Sequence, residues 1–175
     1  MIVFRRWIPV VLLCATSSAA SLRAQTITTS LVHASLQARG RAPAQAAGQA
    51  AAGGATIFAR CTPCHQANGA GVPGAFPPLA GSSWVTGPMD RPIAILLHGL
   101  QGPLTVSGAA YNGVMLPYGT NVVMTDAELA AVLTYIRTSW GNRAAAVTVA
   151  DIARVRAKTK GRTKPFSEAE LLALR

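Results

Sequence analysis

Apolar side chains recur at helical spacing late in the chain and predict a helix over residues 125–141. Thr125 is a natural N-cap and Glu128 stands three residues later, so the two predict a capping box at the start of this helix. Shorter helices are predicted over residues 54–65 and 91–99, the second with proline near its start and glycine at its end. The apolar face of the longest helix consists of Leu129, Val132, Leu133 and Ile136.

The segments between these helices are rich in glycine and proline, as in residues 69–81, and predict loops. Residues 104–113 differ from the other connections, because β-type residues stand on either side of Ser107 and Gly108. This pattern predicts a small β-hairpin.

Residues 143–175 form a basic extension with two further predicted helices, over residues 148–158 and 167–174. Each helix begins with a capping box and a hydrophobic staple. The boxes are Thr148 with Asp151 and Ser167 with Glu170, and the staples are Val147 with Ile152 and Phe166 with Leu171. A basic run is usually a solvated surface. Caps and staples instead suit a segment that docks on a larger partner or folds back on the domain.

Residues 1–24 have the pattern of a secretory signal peptide, in which two arginines precede a short apolar run and small residues follow it. The apolar run is too short to span a bilayer. Cleavage after Ala20 or Ala24 would remove Cys14 and leave a mature chain without a transmembrane segment. Residues 25–52 are rich in Ala, Gln, Gly, Thr and Ser and predict a flexible linker.

The formal net charge of +10 suggests a protein that binds nucleic acid or a membrane surface, until the charge is divided along the chain. Residues 1–24 carry +3, residues 25–53 carry +2 and residues 143–175 carry +5, whereas residues 54–142 are neutral. Because the basic residues lie in the flanking segments, the sequence argues against nucleic acid as a partner.

Two cysteines three positions apart are followed directly by a histidine in the stretch Cys61-Thr62-Pro63-Cys64-His65. This is the attachment pattern of a c-type haem. In the first turn of a helix, the two thiols reach the vinyl groups of one haem edge as thioethers, and the histidine ligates iron. A thioredoxin-like redox pair, a zinc site and a disulfide are the alternatives. A thioredoxin-like pair would need a strand before the motif, and no run of β-branched residues stands there. A zinc site needs four ligands, and only His98 is available as the fourth.

Residues 54–142 resemble a class I cytochrome c domain. A further similarity, to cytochromes that serve periplasmic quinoprotein and flavoprotein dehydrogenases, rests on the stretches Gly113–Pro117, Leu133–Arg137 and Ser139–Asn142. The resemblance implies an all-α fold, with a few short helices around one covalently bound haem c, in a domain of residues 53–142.

The resemblance also implies that the first and last helices of the domain cross beside the haem. The pairing carried over is Gly54 and Phe58 against Val132 and Tyr135. In the class an aromatic residue usually stands four positions before the first cysteine, whereas Phe58 stands three before Cys61. Gly53 and Ile57 are therefore the alternative pair for the crossing.

Four side chains are candidates for the sixth iron ligand: Met89, Met115, Met124 and His98. The resemblance favours Met115, because the family ligand lies in a Met-Pro loop between the middle and last helices, although Leu116 here separates it from Pro117. The other three have structural alternatives. Met124 can staple a helix start, Met89 can fill a gap in the core, and His98 suits a helix C-terminus.

The resemblance assigns further residues around the haem. The Pro-x-Leu-x-Gly pattern that begins at Pro77 implies that the Pro77 carbonyl accepts the remaining ring proton of His65. Trp84 and Tyr118 are candidates for contact with the haem propionates or the ring, with burial as aromatic core residues as the alternative.

A histidine and a thioether leave no open coordination position on iron, and the thioether raises the reduction potential. The sequence therefore predicts a periplasmic single-electron carrier, not an enzyme, that carries electrons from a dehydrogenase towards the respiratory chain or a terminal oxidase. Its partners would be redox proteins. The neutral haem domain predicts docking through an apolar patch, with little dependence on salt unless the basic extension contributes. A haem-based sensor or enzyme with a displaceable sixth ligand is the alternative.

Overall fold

The computed structural model describes residues 48–118 and 124–174. The helices are α1 (48–58), α2 (Thr62–His65), α3 (Ser83–Thr86), α4 (Asp90–His98), α5 (Asp126–Thr138), α6 (Val149–Lys158) and α7 (Glu168–Ala173), and the strands are β1 (Leu100–Val106) and β2 (Ala109–Met115). This mostly helical fold with one hairpin confirms the predicted class. None of the described helices has the length and apolar character that a membrane span needs.

The predicted signal peptide and its cleavage sites lie outside the described residues, as does most of the predicted linker. The last part of that linker, residues 48–52, is helical and belongs to α1. The predicted start at residue 54 is therefore six residues too late. The alanine-rich stretch before Gly53 and Gly54 has a high helix propensity, which explains the longer helix.

The helix predicted over residues 54–65 is two helices, because the chain turns between α1 and α2. Pro63 has no N–H to donate to the carbonyl of Ala59, and its ring would crowd that carbonyl in a continuous helix. Instead, Thr62 Oγ1 donates to Ala59 O over 2.8 Å. The break orients the cysteine-bearing turn independently of α1.

Helices α1 and α5 cross at Gly54. A Cβ atom added there would lie 2.1 Å from Ala131 O and 2.8 Å from Tyr135 Cβ. One turn later, the ring of Phe58 lies 5.4 Å from that of Tyr135, between centroids. The crossing therefore uses Gly54 and Phe58, with Ala131 rather than Val132 supplying the nearest backbone atoms. The alternative pair is wrong, since nothing lies within 4 Å of a Cβ added at Gly53.

The capping box predicted at the start of α5 is confirmed, since Thr125 and Glu128 bond each other's backbone N–H groups. Near the other end of the helix, the buried side chain of Asn142 ties the chain to the loop before α3. Its Oδ1 accepts from Gly81 N over 2.8 Å, and its Nδ2 donates to Leu79 O and Ile136 O over 3.1 and 2.8 Å.

The basic extension folds back on the domain. Helix α6 packs against α4 and α5, and α7 packs against α4 and β1. Both predicted capping boxes are present at the starts of α6 and α7. The extension buries Val147, Ile152, Val155, Phe166 and Leu171, which belong to the same hydrophobic core as α4 and α5.

The hairpin is longer than the predicted 104–113, because β1 and β2 pair in antiparallel register from Leu100 and Met115 to Val106 and Ala109. Its turn has positive φ at both central residues, 51° at Ser107 and 81° at Gly108. That backbone conformation matches the twist of a two-residue hairpin. The turn lies where the sequence predicted it, whereas the residue pairs farthest from the turn were not predicted.

Candidate functional site

The cysteine motif occupies the single turn of α2, with Cys61 as its N-cap. Cys61 and Cys64 are half-buried thiols with no disulfide between them. Side chains three apart on a helix lie on the same face, and both cysteines line one cavity. Burial, together with the neighbouring Cys64, raises the pKa of the Cys61 thiol to about 11, against the opposing effect of Arg60.

His65 is buried at the end of α2, with 8% of its surface exposed. Its Nδ1 lies 3.0 Å from Pro77 O. Because a carbonyl can only accept, Nδ1 must carry the proton, which leaves the lone pair of Nε2 free for a metal. Burial lowers the pKa of His65 below its ordinary value, although the bond to Pro77 acts in the opposite direction.

The loop after α2 brings Pro77 to His65. Gly71 N donates to His65 O over 3.0 Å, and Leu79 N donates to Gly69 O over 2.8 Å, so the loop closes beneath the histidine. Gly71 has φ of +67°, and a Cβ atom there would lie 2.3 Å from Phe76 O and 2.7 Å from Pro77 O. Only glycine allows this close approach, which holds the Pro77 carbonyl near the imidazole.

Two cavities of about 240 and 80 Å³ surround this histidine, and their walls overlap. Residues common to both walls are Cys61, His65, Pro77, Leu100, Leu104 and Met115. Most of the remaining wall of the smaller cavity is aliphatic, from Val85 on α3, Ile95 and Leu96 on α4 and Leu133 and Ile136 on α5. We call the two cavities together the chamber. An apolar chamber with two thiols and one free imidazole nitrogen fits a flat, apolar, iron-bearing group.

Of the four candidates for the sixth ligand, Met115 is the one that lines these cavities. Met124 is buried in the core immediately before the N-cap of α5. Met89 is the N-cap residue of α4 and packs against the core. His98 Nε2 bonds Thr159 Oγ1 over 2.7 Å. The last three therefore have the structural positions that the sequence offered as alternatives.

Met115 reaches the cavity from the end of β2. Its backbone packs closely on one neighbouring segment, because it pairs with Leu100 across the sheet and a Cβ atom at Gly99 would lie 2.5 Å from Met115 O. Three residues later, Tyr118 N donates to Leu96 O over 2.8 Å, which ties the chain to α4.

Tyr118 and Trp84 lie at different parts of the chamber. Tyr118 is half-buried in the wall of the larger cavity, where burial raises the pKa of its hydroxyl. Trp84 is buried in the wall of the smaller cavity, and its Nε1 donates to Thr105 O over 2.8 Å. Because indole has a single N–H, this bond to a protein carbonyl occupies the donor of Trp84, and the buried residue lines the cavity wall. Its contact with the haem stays a prediction.

The contribution of the hairpin to the chamber was not predicted from the sequence. Leu100, Leu104 and Val106 are buried on β1 and face the smaller cavity, whereas the residues between them are exposed or half-buried. The even spacing of these apolar residues was the available signal, because alternate strand residues share one face.

Residues 51–140 match the family described as Cytochrome c. The chain belongs to the cytochrome c family. This membership confirms the predicted class, its one covalently attached haem c and its function in electron transfer. Cys61 and Cys64 are the cysteines of the family's attachment motif in this chain.

Among known cytochromes, the chain is 43% identical over 130 residues to a cytochrome c-552 of Thermus thermophilus, a match that covers 72% of this chain and 76% of that protein. A second Thermus thermophilus cytochrome c-552 is 43% identical over 128 residues, covering 71% of this chain and 85% of that protein. The cytochrome c subunit of a quinone alcohol dehydrogenase from Gluconacetobacter polyoxogenes is 37% identical over 108 residues, covering 59% of this chain and 22% of that subunit.

Proposed function

We propose that this cytochrome is a periplasmic single-electron carrier that accepts electrons from a dehydrogenase and delivers them towards the respiratory chain or a terminal oxidase. The observation that carries the proposal is the convergence of Cys61, Cys64, His65 and Met115 on one apolar chamber. A haem iron ligated by an imidazole and a thioether exchanges one electron at a time and has no open coordination position.

Each of these residues has a distinct role in the proposal. Cys61 and Cys64 form the thioethers that fix the orientation of the haem. His65 ligates iron through Nε2, and its bond from Nδ1 to Pro77 O keeps the ring in the required tautomer and orientation. Met115 supplies the thioether sulfur. Tyr118 offers a hydroxyl to a propionate from the wall of the larger cavity.

An apolar rim around the larger cavity supports docking of redox proteins at this site. The rim consists of Phe76, Val114 and Leu116, which are 38%, 59% and 64% exposed and line the cavity. Arg60 is the charged residue in this lining. A mostly apolar contact surface adds little long-range steering of its own, so a dependence of electron transfer on ionic strength would come from the basic extension.

The predicted signal peptide supports export of the chain to the periplasm, where haem is attached. The similarity to the cytochrome c subunits of quinone alcohol dehydrogenases supports a dehydrogenase as the donor. Because the chain matches 22% of the Gluconacetobacter subunit and 23% of the Gluconobacter oxydans subunit, the similarity extends to one part of each.

Ligation by Met115 is tested with a Met115→Ala variant and with Met89→Leu as its matched control. The oxidised wild-type protein should show the methionine-to-iron charge-transfer band, which Met115→Ala should lose and Met89→Leu should retain. The reduced variant at position 115 should bind carbon monoxide rapidly, and the wild type slowly. Rapid carbon monoxide binding by the wild type would contradict a closed site and favour the sensor or enzyme.

Docking at the rim is tested with Val114→Lys, which adds a charge to the apolar surface. Reduction of the cytochrome by a purified quinone alcohol dehydrogenase should slow, because the introduced lysine must be desolvated on contact. Leu172→Lys is the control, since Leu172 is 50% exposed on α7 and does not line the cavities. Equal rates for the two variants would refute docking at the rim.

A further inference from the structure

The basic extension is connected to Met115 through the hairpin. Phe166 forms a parallel bridge with Leu100 on one edge of β1, and Leu100 pairs with Met115 on the other edge. Two backbone hydrogen bonds make the bridge, from Phe166 N to Gly99 O over 3.0 Å and from Gln101 N to Phe166 O over 2.9 Å. Phe166, Leu100 and Met115 therefore form one row across the sheet.

Gly99 joins the same two segments directly. Its carbonyl accepts the bond from Phe166, and its Cα packs so closely on Met115 O that an added Cβ would lie 2.5 Å away. A shift of this glycine would therefore move the backbone of the methionine. The extension and Met115 therefore contact the same two residues, Gly99 and Leu100.

The extension makes a further hydrogen bond to the same edge of β1, closer to the hairpin turn. Thr105 N donates to Glu168 Oε1 over 3.0 Å. Between the two contacts stands Pro103, which has no N–H to pair. Without the extension, a strand edge with unpaired N–H groups would face solvent.

Phe166 is anchored independently of the strand. Its side chain is 3% exposed, its ring lies 5.8 Å from the ring of His98, and the guanidinium of Arg162 lies 3.6 Å from its centroid. Helix α7, which follows, is tied to α4 by a bond from Arg91 Nε to Leu171 O over 3.1 Å. The buried ring of Phe166 therefore fixes the backbone atoms that bond to Gly99 and Gln101.

We infer that Phe166 is a positioning residue for the sixth iron ligand, and that the basic extension holds Met115 on iron by completing the edge of β1. The inference rests on the proposed role of Met115 as a ligand. It gives the extension an effect on the haem site, because local opening at the Phe166 bridge frees the strand pair that presents the methionine. Loosening the bridge should let Met115 leave iron more often while the fold persists.

The test uses Phe166→Ala in the full-length haem-loaded protein, with carbon monoxide as the probe. At a temperature well below unfolding, carbon monoxide should bind the reduced variant at least about tenfold faster than the wild type, the factor that corresponds to about 1.4 kcal/mol. The charge-transfer band of the oxidised variant should also be weaker than that of the wild type, because more molecules would lack the bond between iron and methionine. Phe166→Leu, which keeps a large apolar side chain, should restore both properties.

Ile152→Ala is the matched control, because Ile152 is fully buried on α6 of the same extension but makes no bridge to β1. Glu168→Ala removes the second edge contact without opening the core, and it tests the inference if Phe166→Ala does not fold. This variant should also speed carbon monoxide binding, and Glu168→Gln, which keeps an acceptor oxygen, should not.

The outcomes separate the inference from the proposed function. A wild-type protein without the charge-transfer band would overturn ligation by Met115, and the inference with it. A wild-type band that is unchanged in Phe166→Ala and Glu168→Ala would overturn the inference alone. Equal acceleration of carbon monoxide binding in Ile152→Ala and Phe166→Ala would also overturn it, since the effect would then follow overall stability.

Discussion

The crossing of α1 and α5 can be tested by adding one methyl group. Gly54→Ala places a Cβ atom 2.1 Å from Ala131 O and 2.7 Å from Ala131 C. Both are backbone atoms of a helix, so rotation of a side chain cannot relieve the contact. Gly53→Ala is the matched control, because it adds the same methyl group to the same helix with nothing within 4 Å.

The expected magnitude follows from two opposing effects. Alanine in place of glycine stabilises a helix interior by about 0.5–1 kcal/mol, and this gain applies to both variants. Overpacking costs about 1–3 kcal/mol, and the contact with a backbone oxygen places Gly54→Ala at the upper end, about 3 kcal/mol. The gain cancels in the comparison, so Gly54→Ala should be less stable than Gly53→Ala by about 3 kcal/mol.

The difference can be measured by thermal unfolding of the haem-loaded variants, followed by circular dichroism. At about 4 °C per kcal/mol for a domain of this size, the two midpoints should differ by about 12 °C. Gly53→Ala should melt at or above the wild-type temperature. Equal midpoints for the two variants would refute the assignment of Gly54 to the crossing.

Two further predictions concern the attachment of the extension. Thr134 Oγ1 donates to Val147 O and accepts from Val147 N, at 3.1 and 3.0 Å, so Thr134→Val should lose about 2 kcal/mol of unfolding free energy in denaturant, and Thr134→Ser should lose less. Burial raises the pKa of Asp90, but hydrogen bonds from Arg154 and Lys158 outweigh it, so the pKa lies below its ordinary value of 3.8. The stabilisation by Asp90 is therefore complete above that pH and is lost as the pH falls through the folded pKa. Asp90→Asn should accordingly lower the melting temperature at pH 7 and approach the wild type in strong acid, and a gap that widens on acidification would contradict this sign.

The sequence predicted elements whose signals are local. The capping boxes of α5, α6 and α7 lie within four consecutive residues each, and all three are present. The hairpin turn at Ser107 and Gly108 was equally local. The haem-attachment motif could be predicted because it lies within five consecutive residues. The ends of elements were less predictable. Helix α1 begins at residue 48, before Gly53 and Gly54, and ends at residue 58, because Pro63 cannot continue the helical hydrogen bonds.

The role of the extension could not be predicted from its composition. Its basic residues suggested a solvated surface, and its caps and staples suited either a partner or the domain itself. In the structure, its apolar residues Ile152, Val155 and Leu171 are fully buried in the core. Helical spacing shows that a segment has an apolar face, but it does not show which surface covers that face. The bridge from Phe166 to Leu100 joins residues that are far apart in the chain, and no local pattern indicates it.

The sequence by itself determined the cofactor and its covalent attachment, because two thiols three positions apart with a histidine directly after them are the attachment pattern of a c-type haem. It also determined most helices, since caps and apolar periods act over short distances. Only the tertiary structure decided that Met115, rather than Met89, Met124 or His98, lines the chamber of His65. It likewise decided that α5 crosses α1 at Gly54 and not at Gly53. Both choices depend on packing between distant segments, where shifts of an ångström separate a contact from a clash.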